Sequence, residues 1–288
     1  MMKKIFVHPN PTKDGMKEVV AEIIPQLLEL GFELYMDRSA DCLPDCLDGV
    51  ELMSFDDALN SCECVMVIGG DGTILRIAIP ASMANKPVLG INKGTLGFIP
   101  ELEVSEISLM QALHTGDYHF DTRMMLDITV ESSSGELIFR GTALNDASII
   151  KGTLSKMIDI CVNANGKKTI AFKGDGVIVC TPTGSTAYSL SAGGPILEPT
   201  CSCMAVTPIC PHSINIKSFV IPAEHDIEVK INPGSNAAFI LADGSAPVQL
   251  SEGDRIRIKK SELSLDLIRI KDPGFYEVIR KKLSKESS

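Results

Sequence analysis

The chain has 288 residues, enough for two domains at roughly 100–200 residues each. Hydrophobic residues make up 44% and charged residues 22%, ordinary globular composition that excludes wholesale disorder. Lys and Arg number 27 against 37 Asp and Glu, a net charge of −10. That lacks the basic footprint of a nucleic-acid binder, so no nucleic-acid partner is expected, and a phosphate-rich ligand would need local amide nests and a few placed cations.

The longest apolar runs, such as Cys64–Ile68 and Val177–Cys180, are strand-sized, far below the roughly 20 residues of a membrane span. The N-terminal stretch breaks at once into the turn at Pro9 and has no signal-peptide pattern. A cytoplasmic protein with no membrane partner is expected. The nine Cys are expected to be reduced and mostly buried. Cys42, Cys46, Cys62 and Cys64 match no common zinc spacing, and Cys201 and Cys203 are read as equally incidental.

In chain order, residues 3–8 read as a short strand ending in the turn His8-Pro9-Asn10-Pro11. Val19, Val20, Ile23, Leu27 and Leu30 recur at helical spacing up to Gly31, with Pro25 expected to kink or split the helix. Phe32–Met36 is a second strand. Val65–Ile68 and Val88–Ile91 are unbroken apolar runs that suit a parallel sheet buried on both faces. Between them Thr73–Met83 is helical, interrupted by Pro80, and Val104 to Leu113 predict another helix. This alternation makes the first part an α/β unit.

The pattern changes near Asp121. Leu126–Val130 alternates, Ser132–Gly135 turns and Leu137–Phe139 returns. Asn165-Gly166 between apolar segments is a hairpin signal. Ile227–Ile231 and Arg255–Lys259 alternate as half-exposed strands. Residues 122–266 are therefore expected to form a β-rich second domain. Tyr276–Lys285 reads as a short basic helix that packs back on an earlier domain, with a frayed tip at Ser284–Ser288.

The sharpest motif is Val65 to Arg76, a buried strand running through Gly69-Gly70-Asp71-Gly72-Thr73 into a helix. Glycines let a ligand approach the backbone, and the unpaired N–H groups of a helix start favour an anion such as phosphate. A Walker A loop would end in Gly-Lys-Ser/Thr, which is absent, and the dinucleotide fingerprint counted from Gly70 meets Leu75 where its third glycine belongs. Asp71, a carboxylate in a phosphate loop, would serve a metal ion or a proton; the plainer alternative is a helix N-cap. Asn92–Phe98 repeats the strand-into-glycines pattern, at the same sheet edge if the strands are neighbours. Gly174 to Pro195 crowds hydroxyls and glycines into a loop after a strand, where Tyr188 could stack on a flat ligand. Asn145-Asp146 offers donors and acceptors for hydroxyls.

With these motifs in order, the chain resembles the bacterial NAD kinases. The resemblance is carried by Gly69–Thr73 with Arg76, Asn92–Phe98 with Glu101, Asn145-Asp146, Asp175-Gly176 and the block Thr181–Pro195, with weaker matches at Pro211-His212-Ser213 and Asp243-Gly244. Gly-Gly-Asp-Gly-Thr is shared with lipid kinases, and the long block is more specific. The resemblance implies a two-domain fold: an N-terminal α/β domain, residues 1–121 with the returning segment 267–288, and an all-β sandwich, residues 122–266, that binds NAD. It implies the reaction ATP + NAD giving ADP + NADP, a divalent metal, usually Mg2+, and a homo-oligomer (dimer or tetramer), with polyphosphate replacing ATP in some members. Asp71 would accept the proton of the 2′-hydroxyl of the adenosine ribose, and Asp71, Gly72 and Arg76 would line the phosphates and ribose. Asn145 and Asp146 would contact ribose hydroxyls. Thr186, Ala187, Tyr188, Ser189, Leu190 and Ser191 would cradle NAD, and Asp175 would fix the nicotinamide side. Lys156 and Lys173 stand where the family often carries a basic residue. Ser245 departs from the pattern, because many relatives carry a ligand-touching Gln there; either a water fills the gap or that contact is absent.

Overall fold

The structure is a computed structural model that describes residues 1–44, 47–94, 97–152, 156–232, 237–271 and 274–283. Two compact units divide the chain, Met1–Thr122 with Leu265–Ser288, and Arg123–Ser264.

The first unit alternates strands and helices: β1 (Lys4–Pro9), α1 (Met16–Glu29), β2 (Glu33–Asp37), β3 (Val50–Met53), α2 (Phe55–Ser61), β4 (Cys64–Gly69), α3 (Asp71–Met83), β5 (Val88–Asn92), β6 (Leu102–Glu103) and α4 (Ala112–Thr115). The five longer strands run parallel in the order β3-β2-β1-β4-β5. Every residue of β4 and β5 is buried, which accounts for their unbroken apolar runs. Ile5, Val7, Met66, Ile68, Leu89 and Ile91 pack in one core with Val20, Ile23 and Leu27 of α1.

Neither helix is split at its proline: α1 continues through Pro25 and α3 through Pro80. Pro25 lies on the exposed side of α1, as does Ala21, whose carbonyl loses its partner to the proline ring. A helix proline costs about 3 kcal/mol. Burying each of Val20, Ile23 and Leu27 gives back about 1.5–3 kcal/mol, so packing wins. The helix expected over 104–113 is a 3-10 helix, Val104–Gln111, followed by α4. The fully buried residues Ile107 and Met110 of the 3-10 helix and Leu113 of α4 recur every third position, which is the 3-10 period.

The second unit contains β7 (His119–Glu131, starting in the first unit), β8 (Leu137–Ala143), β9 (Asp146–Lys151), β10 (Ile158–Ala164), β11 (Lys167–Gly174), β12 (Gly176–Cys180), α5 (Tyr188–Ser191), β13 (Cys203–Ile209), β14 (Phe219–Pro222), β15 (Ile227–Ile231), β16 (Ala238–Ala242), β17 (Val248–Leu250) and most of β18 (Arg255–Arg269). One sheet joins β11, β10, β15, β18, β7 and β8, and the other runs β14-β13-β12-β9-β16-β17. Alternate residues from both sheets, among them Ile128, Ile160, Val229 and Ile256 from one and Ile149, Val177, Val206 and Ile240 from the other, share one core. This is a β-sandwich. The opposite face of β12 is also covered, with Ile178 and Cys180 packing on Ala205, Ala192 and Leu197. The predicted hairpin is present, and Asn165 and Gly166 both take the left-handed φ, 48° and 72°, that a type I′ turn needs.

After β18 the chain ends in α6 (Phe275–Leu283), within the first unit. The carboxylate of buried Glu101 accepts the Ile270 and Lys271 amides and the Arg269 guanidinium. Arg269 also donates to the Ile99 carbonyl (2.8 Å) and to Asp121 (3.0 Å). Lys282 of α6 sits 3.8 Å from the centre of the Phe98 ring. The returning segment is thus tied to the residues just after the second glycine loop. The tip 284–288, Cys46 and residues 95–96 of that loop lie outside the described residues.

Candidate functional site

In the first unit the strand order reverses between β1 and β4, the position where open α/β sheets take ligands beyond the carboxyl ends of their strands. Two loops meet there. Asn10, after β1, is buried and donates through Nδ2 to Thr73 Oγ1 at 3.1 Å. The Lys13 ammonium lies by Gly70 and Gly94 and donates to the Lys93 carbonyl. After β4, Gly70 is the N-cap of α3, and the space where a Gly72 side chain would stand is open. The start of α3 therefore presents unpaired amides at an uncrowded edge.

Asp71 is the first residue of α3, so it does not cap that helix. Its carboxylate reaches across to the second glycine loop, Oδ2 accepting the Phe98 amide at 3.1 Å and Oδ1 the Ile99 amide at 3.0 Å. Each oxygen keeps a further lone pair. Arg76 is exposed on the same helix, four residues after Gly72 and so on its face. Nearby, His8 packs edge-on against Phe6 and Phe55. Burial, reinforced by the Arg76 charge, holds its imidazole down at about 4, so it is neutral at pH 7.

In the second unit Asp146 opens β9 and Asn145 stands just before it, both buried. The Asn145 Oδ1 is buried without a hydrogen-bond partner. Burial and the charge of Asp243 push the Asp146 carboxyl up to about 7. Burial raises Asp243 itself, against three backbone amides donated by Leu144, Asn145 and Asp146. The block after β12 is a 3-10 turn, Thr183–Thr186, and α5, where a loop was expected. Its hydroxyls make the difference: Thr181 Oγ1 takes the Gly184 amide at 3.1 Å, and Ser185 Oγ takes the Leu197 amide at 2.9 Å. Gly184 packs on Asn145 so closely that a Cβ there would stand 2.1 Å from the Asn145 carbonyl oxygen.

The structure sorts the cradle residues. Tyr188 and Ser191 are exposed, and Thr186, Ala187 and Leu190 half-buried. Burial and the charges of Asp146, Cys210 and Asp175 raise the Tyr188 hydroxyl, which gathers it with those groups. Ser189 is fully buried and its hydroxyl bonds Thr207 Oγ1 at 2.9 Å, so its side chain ties α5 to β13. Lys156 and Lys173 are exposed at the β10–β11 hairpin. The cation beside Asp175 is Lys151, at 3.0 Å, a residue the sequence reading passed over. Ser245 is exposed and closes the turn after β16, its amide and hydroxyl both bonded to Ala242. Asp243 had a signal, the Asp-Gly pair after an alternating strand, but its partners lie 97–99 residues away in sequence.

Among the described residues no group of three or more His, Cys, Asp or Glu side chains is arranged to hold a metal, and the described cysteines are free thiols, half of them buried. No helix of the described residues is long and apolar enough to cross a membrane.

Comparisons with known proteins follow the same two parts. The family model for the ATP-NAD kinase N-terminal domain matches residues 51–118, and that for the ATP-NAD kinase C-terminal domain matches residues 144–270. The NAD kinase of Desulforamulus reducens is 36% identical over 283 residues, covering 98% of this chain and 97% of the relative. That of Natranaerobius thermophilus is 35% identical over 285 residues, 98% of each. Yeast NADH kinase, solved with NADH, superposes with a TM-score of 0.86 at 24% identity, covering 100% of this chain and 89% of that one. An NAD kinase from Archaeoglobus fulgidus, solved with ATP, gives 0.68 at 26% identity, covering 96% and 98%.

Proposed function

This chain belongs to the ATP-NAD kinase family, and from that premise we propose that it is an NAD kinase that moves the terminal phosphoryl group of ATP to the 2′-hydroxyl of the adenosine ribose of NAD. The observation that carries the reading is the Gly69–Thr73 loop at the strand-order reversal of a parallel sheet, with a carboxylate at the helix start. Such a reaction asks for positioning and charge stabilisation more than for covalent chemistry.

In this reading the ribose oxygen forms the new bond to the γ-phosphorus as the bond to the ADP oxygen breaks. The hydroxyl proton goes to Asp71. A ribose hydroxyl is a far weaker acid than a carboxylic acid, so the transfer comes late, when the forming P–O bond makes the proton acidic. The amides at the start of α3 and the Arg76 guanidinium receive the phosphates. In the second unit Asn145 and Asp146 take ribose hydroxyls, Asp175 with Lys151 holds the nicotinamide side, and Tyr188 stacks on a base, framed by Thr186, Ala187, Leu190 and Ser191. Ser189 acts through packing, and residues 122–266 serve as the dinucleotide-binding domain.

A divalent ion fits this donor set. Mg2+ is typically held by one or two carboxylates together with substrate phosphates, and Asp71 supplies one such carboxylate at the phosphate loop. When bound, it would neutralise phosphate charge. We also read the protein as cytoplasmic and homo-oligomeric; exposed apolar residues Leu137 and Ile138 on edge strand β8 support self-association.

The test is purified protein with NAD and either ATP or polyphosphate, following NADP. NADP formation with ATP is expected. No NADP with either donor, from folded protein that binds NAD, would leave a dinucleotide sensor.

A further inference from the structure

Between β8 and β9 the chain makes an irregular step at Leu144-Asn145-Asp146. Three successive backbone amides there, the last of them at the first residue of β9, all converge on one carboxylate from a distant element. Asp243 Oδ2 accepts the Leu144 amide at 2.7 Å, and Oδ1 accepts those of Asn145 at 2.7 Å and Asp146 at 3.0 Å. The Asp243 amide donates back to the Asp146 carbonyl at 3.0 Å. From the other side, the Thr181 hydroxyl donates to the Leu144 carbonyl at 2.6 Å and its amide to the Asn145 carbonyl at 2.9 Å. Asp243 holds a left-handed φ of 47°, which Asp tolerates better than most residues and which turns its side chain back over the step. Charge-assisted bonds of this kind are about twice as strong as neutral ones. The backbone that aims the Asn145 and Asp146 side chains is thus set by a residue outside the motif that contains them.

We infer that Asp243 is a positioning residue for the reaction: by accepting the Leu144, Asn145 and Asp146 amides, its carboxylate fixes the orientation in which Asn145 and Asp146 meet the dinucleotide. The inference rests on the reading of those two residues as NAD contacts. Asp243 also acts through charge. The titratable groups facing Asp146 are Asp243 from the end of β16, Tyr188 from α5 and Cys180 from the neighbouring β12. Of these Asp243 carries the negative charge that raises Asp146, on top of burial. Removing that charge lowers the pH at which Asp146 ionises.

The experiment compares wild type with Asp243→Asn, Asp243→Gly and Asn145→Ala in steady-state kinetics over pH 5–9 (a range of about four units around neutrality), with thermal unfolding as the check on folding. Asn tolerates the left-handed φ but turns an NH2 group toward at least one of the three amides; Gly keeps the backbone and deletes the acceptor. The expected result for Asp243→Asn is a folded enzyme whose KM for NAD rises by roughly tenfold or more, from losing a hydrogen bond to a charged group. Its KM for ATP stays the same, and the acid limb of kcat/KM for NAD moves to lower pH. Folded Asp243 variants with wild-type KM for NAD and an unmoved acid limb, beside an Asn145→Ala variant that does raise KM, would overturn the inference and spare the reading of Asn145. Unchanged KM for NAD in Asn145→Ala would overturn that reading first, and the inference with it. Failure of both Asp243 variants to fold would make Asp243 a purely structural anchor and likewise overturn the inference.

Discussion

Replacing Asp71 by Asn separates chemistry from architecture, because the structure gives Asp71 a definite architectural task. Its two oxygens accept the Phe98 and Ile99 amides at 3.1 and 3.0 Å. In Asp71→Asn one of those amides faces an NH2 group. Leaving a donor unpaired costs about 1–3 kcal/mol when buried. Asp71 is half-exposed, so water recovers part of this, and a loss of about 1 kcal/mol is expected. For a chain of this size that lowers Tm by roughly 2–4 °C. Loss of the proton acceptor acts on a different scale, about 10²- to 10⁴-fold in kcat, or roughly 3–5 kcal/mol of barrier. The two effects are therefore distinguishable. The assay follows NADP at saturating ATP and NAD, with NAD affinity from calorimetry and Tm from the same preparation. The expected variant is folded, binds NAD within about tenfold of wild type, and has kcat down by about two to four orders of magnitude. Gly97→Ala is the companion: a Cβ there would stand 2.5 Å from Asp71 Oδ1 and from Pro100 Cδ, so the carboxylate moves while its charge stays. A loss of up to about 10²-fold is expected from misplacement alone. An Asp71→Asn enzyme that keeps more than about a tenth of wild-type kcat refutes the proton-acceptor role and leaves Asp71 as the clamp on Phe98 and Ile99.

Tyr188→Ala removes a ring that is 44% exposed and so free to stack; NAD binding is expected to weaken by about 5- to 150-fold with the fold intact, and unchanged affinity by calorimetry would take Tyr188 out of the site. Activity is expected to vanish with EDTA and return with Mg2+, since ATP phosphates and Asp71 need a counter-charge; full turnover in metal-free buffer would contradict this. His8, held at about 4 against 6.5 in the unfolded chain, binds fewer protons when folded, so its stabilisation is present above pH 6.5 and is lost as pH falls toward 4. The whole effect is at most about 3 kcal/mol. Urea midpoints at pH 7 and 5 should therefore differ less in His8→Phe than in wild type, and equal differences would show that His8 does not carry the acid sensitivity.

Local pattern alone determined much of this protein. Unbroken apolar runs at Val65–Ile68 and Val88–Ile91 announced buried parallel strands, alternation at Leu126–Val130 and Ile227–Ile231 announced half-exposed strands of a β-rich part, and Asn165-Gly166 announced its hairpin. In each, the signal and the structure span the same few residues. The glycine loop was legible for the same reason, since a turn of glycines from a strand into a helix start is a contiguous backbone feature. Only the tertiary structure decided the rest. Pro25 and Pro80 favour a kink or a split by local rule, but that rule says nothing of the core that holds α1 and α3 together. By local pattern Asp71 also suits an N-cap, yet its partners come from the loop after the neighbouring strand, 27 and 28 residues on. The Ser189 hydroxyl bonds Thr207 on β13 and Lys151 stands beside Asp175, two contacts that no local motif marks. Asp243 reaches the Asn145-Asp146 step only because β16 and β9 are adjacent in one sheet. Sequence periodicity encodes which face of an element is buried, but which side chains then meet depends on strand order, a property of the whole chain that no short window contains.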